Sequence, residues 1–204
     1  MFANKMVEEK PYAISCDRNS EPILQVLKPR LEDKKHLLEV GSGTGQHAIF
    51  MAPHLPHMTW TLSDREENHP GIQLWLRDYP RFNLLGPVSF NLQRDDFPEG
   101  EYDTVFTANT LHIISWDLNL KLFDLLGKNL KTGAHFFVYG AFNYNGTFTS
   151  ESNERFEKWL KERDPQSGIR DFEKVSEELA ARGLCFAEDI EMPANNRFLS
   201  FVKN

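Results

Sequence analysis

Apolar positions along the chain fall into short runs that alternate with segments of helical period, and this alternation predicts an α/β protein. Leu37, Leu38 and Val40 form the first run, which stops at Gly41. Met58 to Ser63 is the second and closes on Asp64, Val88 to Leu92 is the third, Tyr102 to Ala108 the fourth and Ala134 to Tyr139 the fifth. Helical patterns lie between them. His47 to Ala52 is short, His69 to Tyr79 carries Ile72, Leu74 and Trp75 and ends at Pro80, and Asp117 to Lys131 sets Leu118, Leu122, Leu125, Leu126 and Leu130 on one side before Gly133. Ahead of the first strand, Asn19 or Ser20 can cap a helix with Pro22 in its first turn and Ile23, Leu24, Val26 and Leu27 on its apolar face. Further helices are predicted over Asn153 to Arg163 and Phe172 to Arg182, which leaves 143–170 as an insertion or lid before the last helix. Leu184 to Ile190 and Phe198 to Val202, joined by E-M-P-A-N-N-R, predict an antiparallel hairpin at a sheet edge.

The first strand leads into the most informative stretch, K-H-L-L-E-V-G-S-G-T-G-Q-H, from Lys35 to His47. Strand, glycine turn and helix follow one another here. Glycine admits positive φ and has no Cβ, so a ligand can lie against bare main chain at the carboxyl end of the strand. A dinucleotide fingerprint would place a third glycine at the sixth position of G-x-G-x-x-G, with a pyrophosphate at the helix N-terminus. Position six is Gln46. The loop reads G-x-G-x-G through Gly41, Gly43 and Gly45, with Glu39 two residues before it.

Composition narrows the ligand. The 204 residues suit one α/β domain spanning 1–204, with 1–30 as an N-terminal arm and helix. Hydrophobic residues at 40% and charged residues at 26% are ordinary for a soluble protein, and no apolar run reaches membrane-spanning length. Met1 to Lys10 lacks an apolar signal core, so a cytoplasmic protein is expected. A net charge of −7 argues against a broad phosphate-binding surface and for a small-molecule substrate over nucleic acid. Cys16 and Cys185 lack ligand spacing, and His54 and His57 flank Pro56 without a third ligand, so no metal is expected.

Asp64 lies 19 residues beyond Gly45, where nucleoside-binding α/β folds keep a carboxylate for the ribose hydroxyls; a turn aspartate is the plainer alternative. Asn91 follows the third strand, where a side chain reaches the adenine amino group in sites of this topology. Asp95 and Asp96 read as a solvated turn. Beyond the fourth strand come Asn109, suited to the amino-acid end of a ligand, and His112, either a base near neutrality or a hydrogen-bonded structural histidine. Tyr12, Arg18 and Asn19 in the arm are polar groups that can fold over a ligand or simply be solvated. Phe142, Tyr144 and Phe148, interleaved with Asn and Gly after the fifth strand, suggest a substrate wall.

The stretches E-V-G-S-G-T-G-Q-H, S-D, F-T-A-N-T-L-H-I-I-S-W, Y-G-A-F-N-Y-N-G, T-S-E-S-N, R-D-P-Q-S-G-I-R-D-F-E and M-P-A-N-N together resemble the largely uncharacterised methyltransferase-like 26 family, within the class I S-adenosylmethionine-dependent methyltransferases. The resemblance covers nearly the whole chain. It implies a Rossmann-like seven-stranded methyltransferase sheet, mostly parallel with the last strand antiparallel and helices on both faces. It also implies S-adenosyl-L-methionine as cofactor and S-adenosyl-L-homocysteine as product. Carried over residue by residue, the cofactor loop is Glu39, Gly41, Gly43 and Gly45; Asp64 takes ribose, Asn91 and Leu92 adenine, Asn109 the methionine end, and Arg18 clamps the carboxylate. Asn91 stands where such proteins often have Asp, and its carbonyl still accepts. Tyr12, Asn19, Asn143, Tyr144, Asn195 and Asn196 are the implied acceptor contacts. His112 and Tyr139 are the groups able to take a proton if the acceptor must lose one.

Three functional readings follow. The first is methyl transfer to an unidentified acceptor, and the second a cofactor-binding sensor without turnover. The third, a nicotinamide dehydrogenase, shares Asp64 but is opposed by Gln46.

Overall fold

The computed structural model describes residues 10–204; residues 1–9 of the predicted arm lie outside the described residues. In chain order the elements are α1 (Ile14–Leu27), β1 (His36–Val40), α2 (Gln46–Met51), β2 (Thr59–Asp64), α3 (His69–Asp78), β3 (Leu84–Ser89) and β4 (Thr104–Ala108). They continue with α4 (Trp116–Asn129), β5 (His135–Gly140), β6 (Phe142–Asn143), α5 (Glu151–Arg163), β7 (Arg170–Asp171), α6 (Phe172–Ala180), β8 (Leu184–Met192) and β9 (Asn196–Lys203). Seven strands make one sheet in the order β3-β2-β1-β4-β5-β9-β8. The first five run parallel, and β9 is antiparallel to both β5 and β8. This is the mostly parallel sheet with a reversed last strand that the sequence predicts.

The order reverses at β1, whose neighbours are β2 on one side and β4 on the other. Open α/β sheets bind ligands at such a switch point, outside the carboxyl ends of the strands. Alternation along the strands divides the core between the two faces. Leu37, Phe106 and Phe137 join Ile23, Leu27, Ile49 and Ile72 from α1, α2 and α3 on one face. On the other, Leu38, Val105 and Phe136 meet Leu122, Leu126 and Leu179 from α4 and α6. Helices therefore cover both faces, as expected. A third, small cluster of Ala141, Leu160 and Ile169 anchors α5, within the segment 143–170.

Two predicted boundaries are corrected. Helix α1 begins at Ile14, so Arg18 and Asn19 stand inside it and Pro22 occupies its interior. A proline there removes a helical hydrogen bond, yet tertiary contacts hold the extra turn: Ala13 and Asp17 bond Gln46, and Ser20 Oγ lies 3.2 Å from His47 Nδ1. Strand β3 spans Leu84–Ser89 rather than Val88 to Leu92, because its pairing with β2 begins at Trp60↔Leu84 and ends at Asp64↔Ser89. Asn91 consequently sits two residues past the strand.

Candidate active site

The glycine loop leaves β1 at the switch point. Gly41 has φ +73, and a Cβ there would lie 2.7 Å from Thr110 Oγ1, so both the backbone conformation and the close approach require glycine. Gly43, at φ +60, has no atom of the described residues within 4 Å of where its Cβ would stand. Its open side faces a cleft of about 690 Å³. Main chain and small side chains from Gly41 to Thr44 form one wall, with Ala108 and Asn109 beyond β4. Glu67, Asn68, Pro70, Gly71 and Leu74 form a second wall, and Pro11, Ala13, Ser15 and Cys16 a third. Among the described residues Glu67 is the only charged one in this lining, and none of them is Lys or Arg.

Two carboxylates support the loop from behind. Glu39 is 2% exposed, and its Oε2 accepts from Ser42 Oγ at 3.0 Å and from Trp60 Nε1 at 3.1 Å. Burial pushes its carboxyl up to about 7, against the pull of those two bonds, and the Asp64 charge adds to the rise. Asp64 closes β2 and ties the loop to it: Oδ2 accepts from Gly43 N at 2.6 Å, while Oδ1 accepts from Arg65 N at 2.7 Å and Asn68 Nδ2 at 2.8 Å. His47, at the floor of the cleft, is desolvated to about 4 and is neutral at physiological pH. Burial and the nearby Glu39 charge raise the Cys16 thiol to about 11, which keeps it protonated.

Of the predicted cofactor residues, the cleft is lined by Gly41, Gly43 and Asn109, whose φ of +58 turns the chain at the end of β4. Glu39, Gly45 and Asp64 stand behind that lining. Arg18 is exposed on α1, and Asn91 and Leu92 do not line the cleft. The Asn91 side-chain carbonyl accepts from Gln93 N at 3.0 Å, and its backbone N–H donates to Asp95 Oδ2 at 2.7 Å. Asp95 is thus the residue that organises the turn after β3, and those bonds hold its carboxyl below the usual range.

A second cavity of about 510 Å³ is lined by Tyr144, Thr149, Glu191, Met192, Asn195, Asn196 and Arg197. It joins the turn after β6 to the β8–β9 hairpin and brings together three predicted acceptor residues, Tyr144, Asn195 and Asn196. Arg197 Nε donates to Asp189 Oδ1 at 2.7 Å and Tyr144 Oη to Asp189 Oδ2 at 2.6 Å, so one carboxylate braces the wall. Asn196 Nδ2 donates to Tyr139 Oη at 3.0 Å, and Tyr139 N–H and C=O belong to β5, beside Asn109. Burial raises the Tyr139 phenol to about 12. His112 is 4% exposed, edge-on to Phe156 of α5 with centroids 5.0 Å apart, and burial with the Arg170 charge lowers it to about 4.

His112, Tyr139 and Asn143 line neither cavity, and neither do Tyr12 and Asn19. Tyr12 is 57% exposed and donates to Asp17; Asn143 is buried, with Oδ1 lacking a partner among the described residues. Sequence reading missed Glu67 and Asn68, although their signal was present: three and four positions after Asp64, one helical turn returns them to the strand end. Among the described residues no group of three or more His, Cys, Asp or Glu is placed to hold a metal. None of the described helices is long and apolar enough to cross a membrane.

The chain belongs to the family described as "Protein of unknown function (DUF938)", whose profile matches residues 10–203. It is similar in structure to the S-adenosylmethionine-dependent methyltransferase SibL, at 18% identity and a TM-score of 0.78 over 93% of this chain and 55% of that one. It is also similar to human N-acetylserotonin methyltransferase in complex with SAM, at 16% identity and TM-score 0.76, covering 93% of this chain and 53% of that one. A third likeness is to an O-methyltransferase family 2 protein from Planctomyces limnophilus in complex with apigenin, at 16% identity and TM-score 0.74, over 85% and 52%. These likenesses establish the Rossmann-like methyltransferase fold. The chain spans a little over half the length of each of these structures.

Proposed function

We propose, with membership of this family and the methyltransferase fold as premise, that the protein binds S-adenosylmethionine in the 690 Å³ cleft and transfers its methyl group to a small-molecule acceptor. The observation that carries this reading is the lining: main chain and small side chains at 41–44 and, among the described residues, one acidic side chain and no basic one. Gln46 stands where a dinucleotide loop has its third glycine, which weighs against the dinucleotide reading. A sulfonium with an adjacent ammonium suits an acidic, largely neutral cleft. Structures of similar fold, human N-acetylserotonin methyltransferase among them, hold SAM or SAH, which supports the same ligand here.

In this reading Gly41 to Thr44 face the ligand, Asn109 holds the amino-acid end, and Asp64 with the neighbouring Glu67 and Asn68 takes the ribose. Asp64 already accepts three hydrogen bonds and keeps spare acceptor capacity on its two oxygens. When bound, the cofactor supplies a methyl carbon open to in-line displacement. The protein's own part is to align the acceptor and exclude water, and alignment is worth roughly 7–11 kcal/mol in favourable cases. Should the acceptor carry a proton that must leave, His112 is the better of the two candidates. Its imidazole is neutral above its pKa of about 4, whereas Tyr139 at about 12 holds its proton at neutral pH and can only donate it.

Calorimetry with S-adenosylhomocysteine, followed by incubation with methyl-labelled cofactor and a metabolite extract, tests the proposal. Binding with label transferred to a small molecule supports it. Binding without transfer favours a sensor, and heat with NAD but none with the demethylated cofactor overturns it.

A further inference from the structure

Residues 10–17, which run into the first turn of α1, form one wall of the cleft and bridge from α3 to α2. On the α3 side, Trp75 Nε1 donates to Pro11 O at 2.7 Å, and Lys10 Nζ pairs with Asp78 at 2.9 Å while lying 4.0 Å over the Trp75 ring. Pro11 sits so close to α3 that a Cβ on Gly71 would be 2.6 Å from its Cγ. On the α2 side, the hydrogen bonds from Ala13 and Asp17 converge on Gln46. Gln46 Oε1 accepts from Ala13 N at 2.6 Å and from Thr44 Oγ1 at 2.9 Å; its Nε2 donates to Asp17 Oδ1 at 3.1 Å and to Ala13 O at 3.4 Å. The side chain is 5% exposed, and both halves of its amide are fully engaged.

Gln46 therefore links the crossing segment to Thr44, which itself lines the cleft, and Ala13 lines the cleft from the opposite side. No apolar residue could serve in this position: a buried amide that satisfies two donors and two acceptors at once is held in one geometry, and its removal would leave Ala13 N–H and Thr44 Oγ–H without that acceptor. We propose that Gln46 is a positioning residue that latches the 10–17 segment as a strap over the bound ligand, so that ligand leaves the cleft only as the latch opens. This rests on the reading of the cleft as a cofactor site, but the latch is made of the chain's own groups and is measurable without any ligand.

The experiment is amide hydrogen exchange of the ligand-free protein, paired with the dissociation rate of S-adenosylhomocysteine. Ala13 N–H, bonded to Gln46, is the reporter. Gln46→Ala is expected to speed exchange across 11–17 at least tenfold while leaving β1 and α4 protected, and to speed dissociation by a similar factor. Gln46→Glu keeps the acceptor half but sets a carboxylate against Asp17, and has the same effect. Adding Asp17→Asn to it restores a donor–acceptor pair and returns both readings toward wild type, which a merely misfolded variant would not do. Unchanged exchange at 11–17 in Gln46→Ala overturns the latch. Faster exchange with unchanged dissociation overturns its role as a gate. Absence of any S-adenosylhomocysteine binding to the wild type would remove the cofactor reading, and the exchange data would still decide whether Gln46 holds the segment.

Discussion

The two cavities are built from different materials. The cleft at β1 and β4 has a wall of main chain held at φ values of +73 and +60, backed by Glu39 and His47, whose burial disfavours their charged forms. The cavity between the β6 turn and the β8–β9 hairpin is walled by side chains, two of them charged, with Arg197 shared between Asp189 and Glu191. Its loops also depart from ordinary backbone, with Asn145, Ala194 and Asn195 at positive φ. A wall of main chain can change its ligand only by changing the fold, whereas a wall of side chains changes with single substitutions. In the proposed function the first holds the cofactor.

The largest effect that would test this contrast lies behind the cleft. A raised carboxylate pKa contributes stability that is fully present below its unfolded value and lost as pH rises through the folded value, so burial of Glu39, at about 7 against 4.5, weakens the fold progressively above pH 4.5. Glu39→Gln keeps an acceptor for Trp60 and Ser42. Urea unfolding at pH 8 is expected to show it more stable by about 3 kcal/mol at the pH-shift equivalence, with the gain vanishing near pH 4.5. No gain at pH 8 would mean that Glu39 is solvated and that the support behind the loop is not dry.

Next comes the wall itself. Gly43→Leu places a side chain in open space at φ +60, so the backbone strain is about 1–2 kcal/mol and the protein stays folded by circular dichroism. Its S-adenosylhomocysteine affinity is expected to fall at least about 100-fold, equivalent to roughly 2.7 kcal/mol; retained affinity would place the ligand elsewhere. On the other side, Tyr144→Phe deletes the bond to Asp189, and a bond to a charged group contributes about 1.5–3 kcal/mol before solvent screening, so a loss of about 1 kcal/mol is expected at this half-buried position. Calorimetry should find its cofactor affinity within twofold of wild type. A large drop would show that the two cavities act as one. The smallest effect concerns His112. With its pKa near 4, kcat at saturating cofactor should change less than twofold between pH 6 and 8 on its account, and a sigmoid centred near 6.5 would show that the ring is hydrated.

Much of this architecture was legible beforehand, for identifiable reasons. The run Leu37 to Val40 followed by three alternate glycines reports local backbone demands, and the leucines of α4 report burial at helical period. Asp64 was found at the strand end, although its carboxylate is engaged by Gly43, Arg65 and Asn68. Where several placements were locally acceptable, reading failed. L-L-G-P-V-S-F-N-L holds two overlapping strand-like runs, and only pairing with β2 selected Leu84–Ser89. Asn91 was positioned by that shift and then bound into the turn by Asp95 and Gln93.

The chain by itself determined the succession of strands and helices, the glycine turn after the first strand and the C-terminal hairpin. These depend on periodicity, φ preference and turn chemistry, which act within a few residues. Tertiary structure alone decided that Gln46 grips Ala13 and Asp17, that Pro22 stays inside a helix, and that Tyr144 meets Asn196 across one cavity. Those contacts join positions tens of residues apart, and their energies exist only after the sheet and its helices have packed.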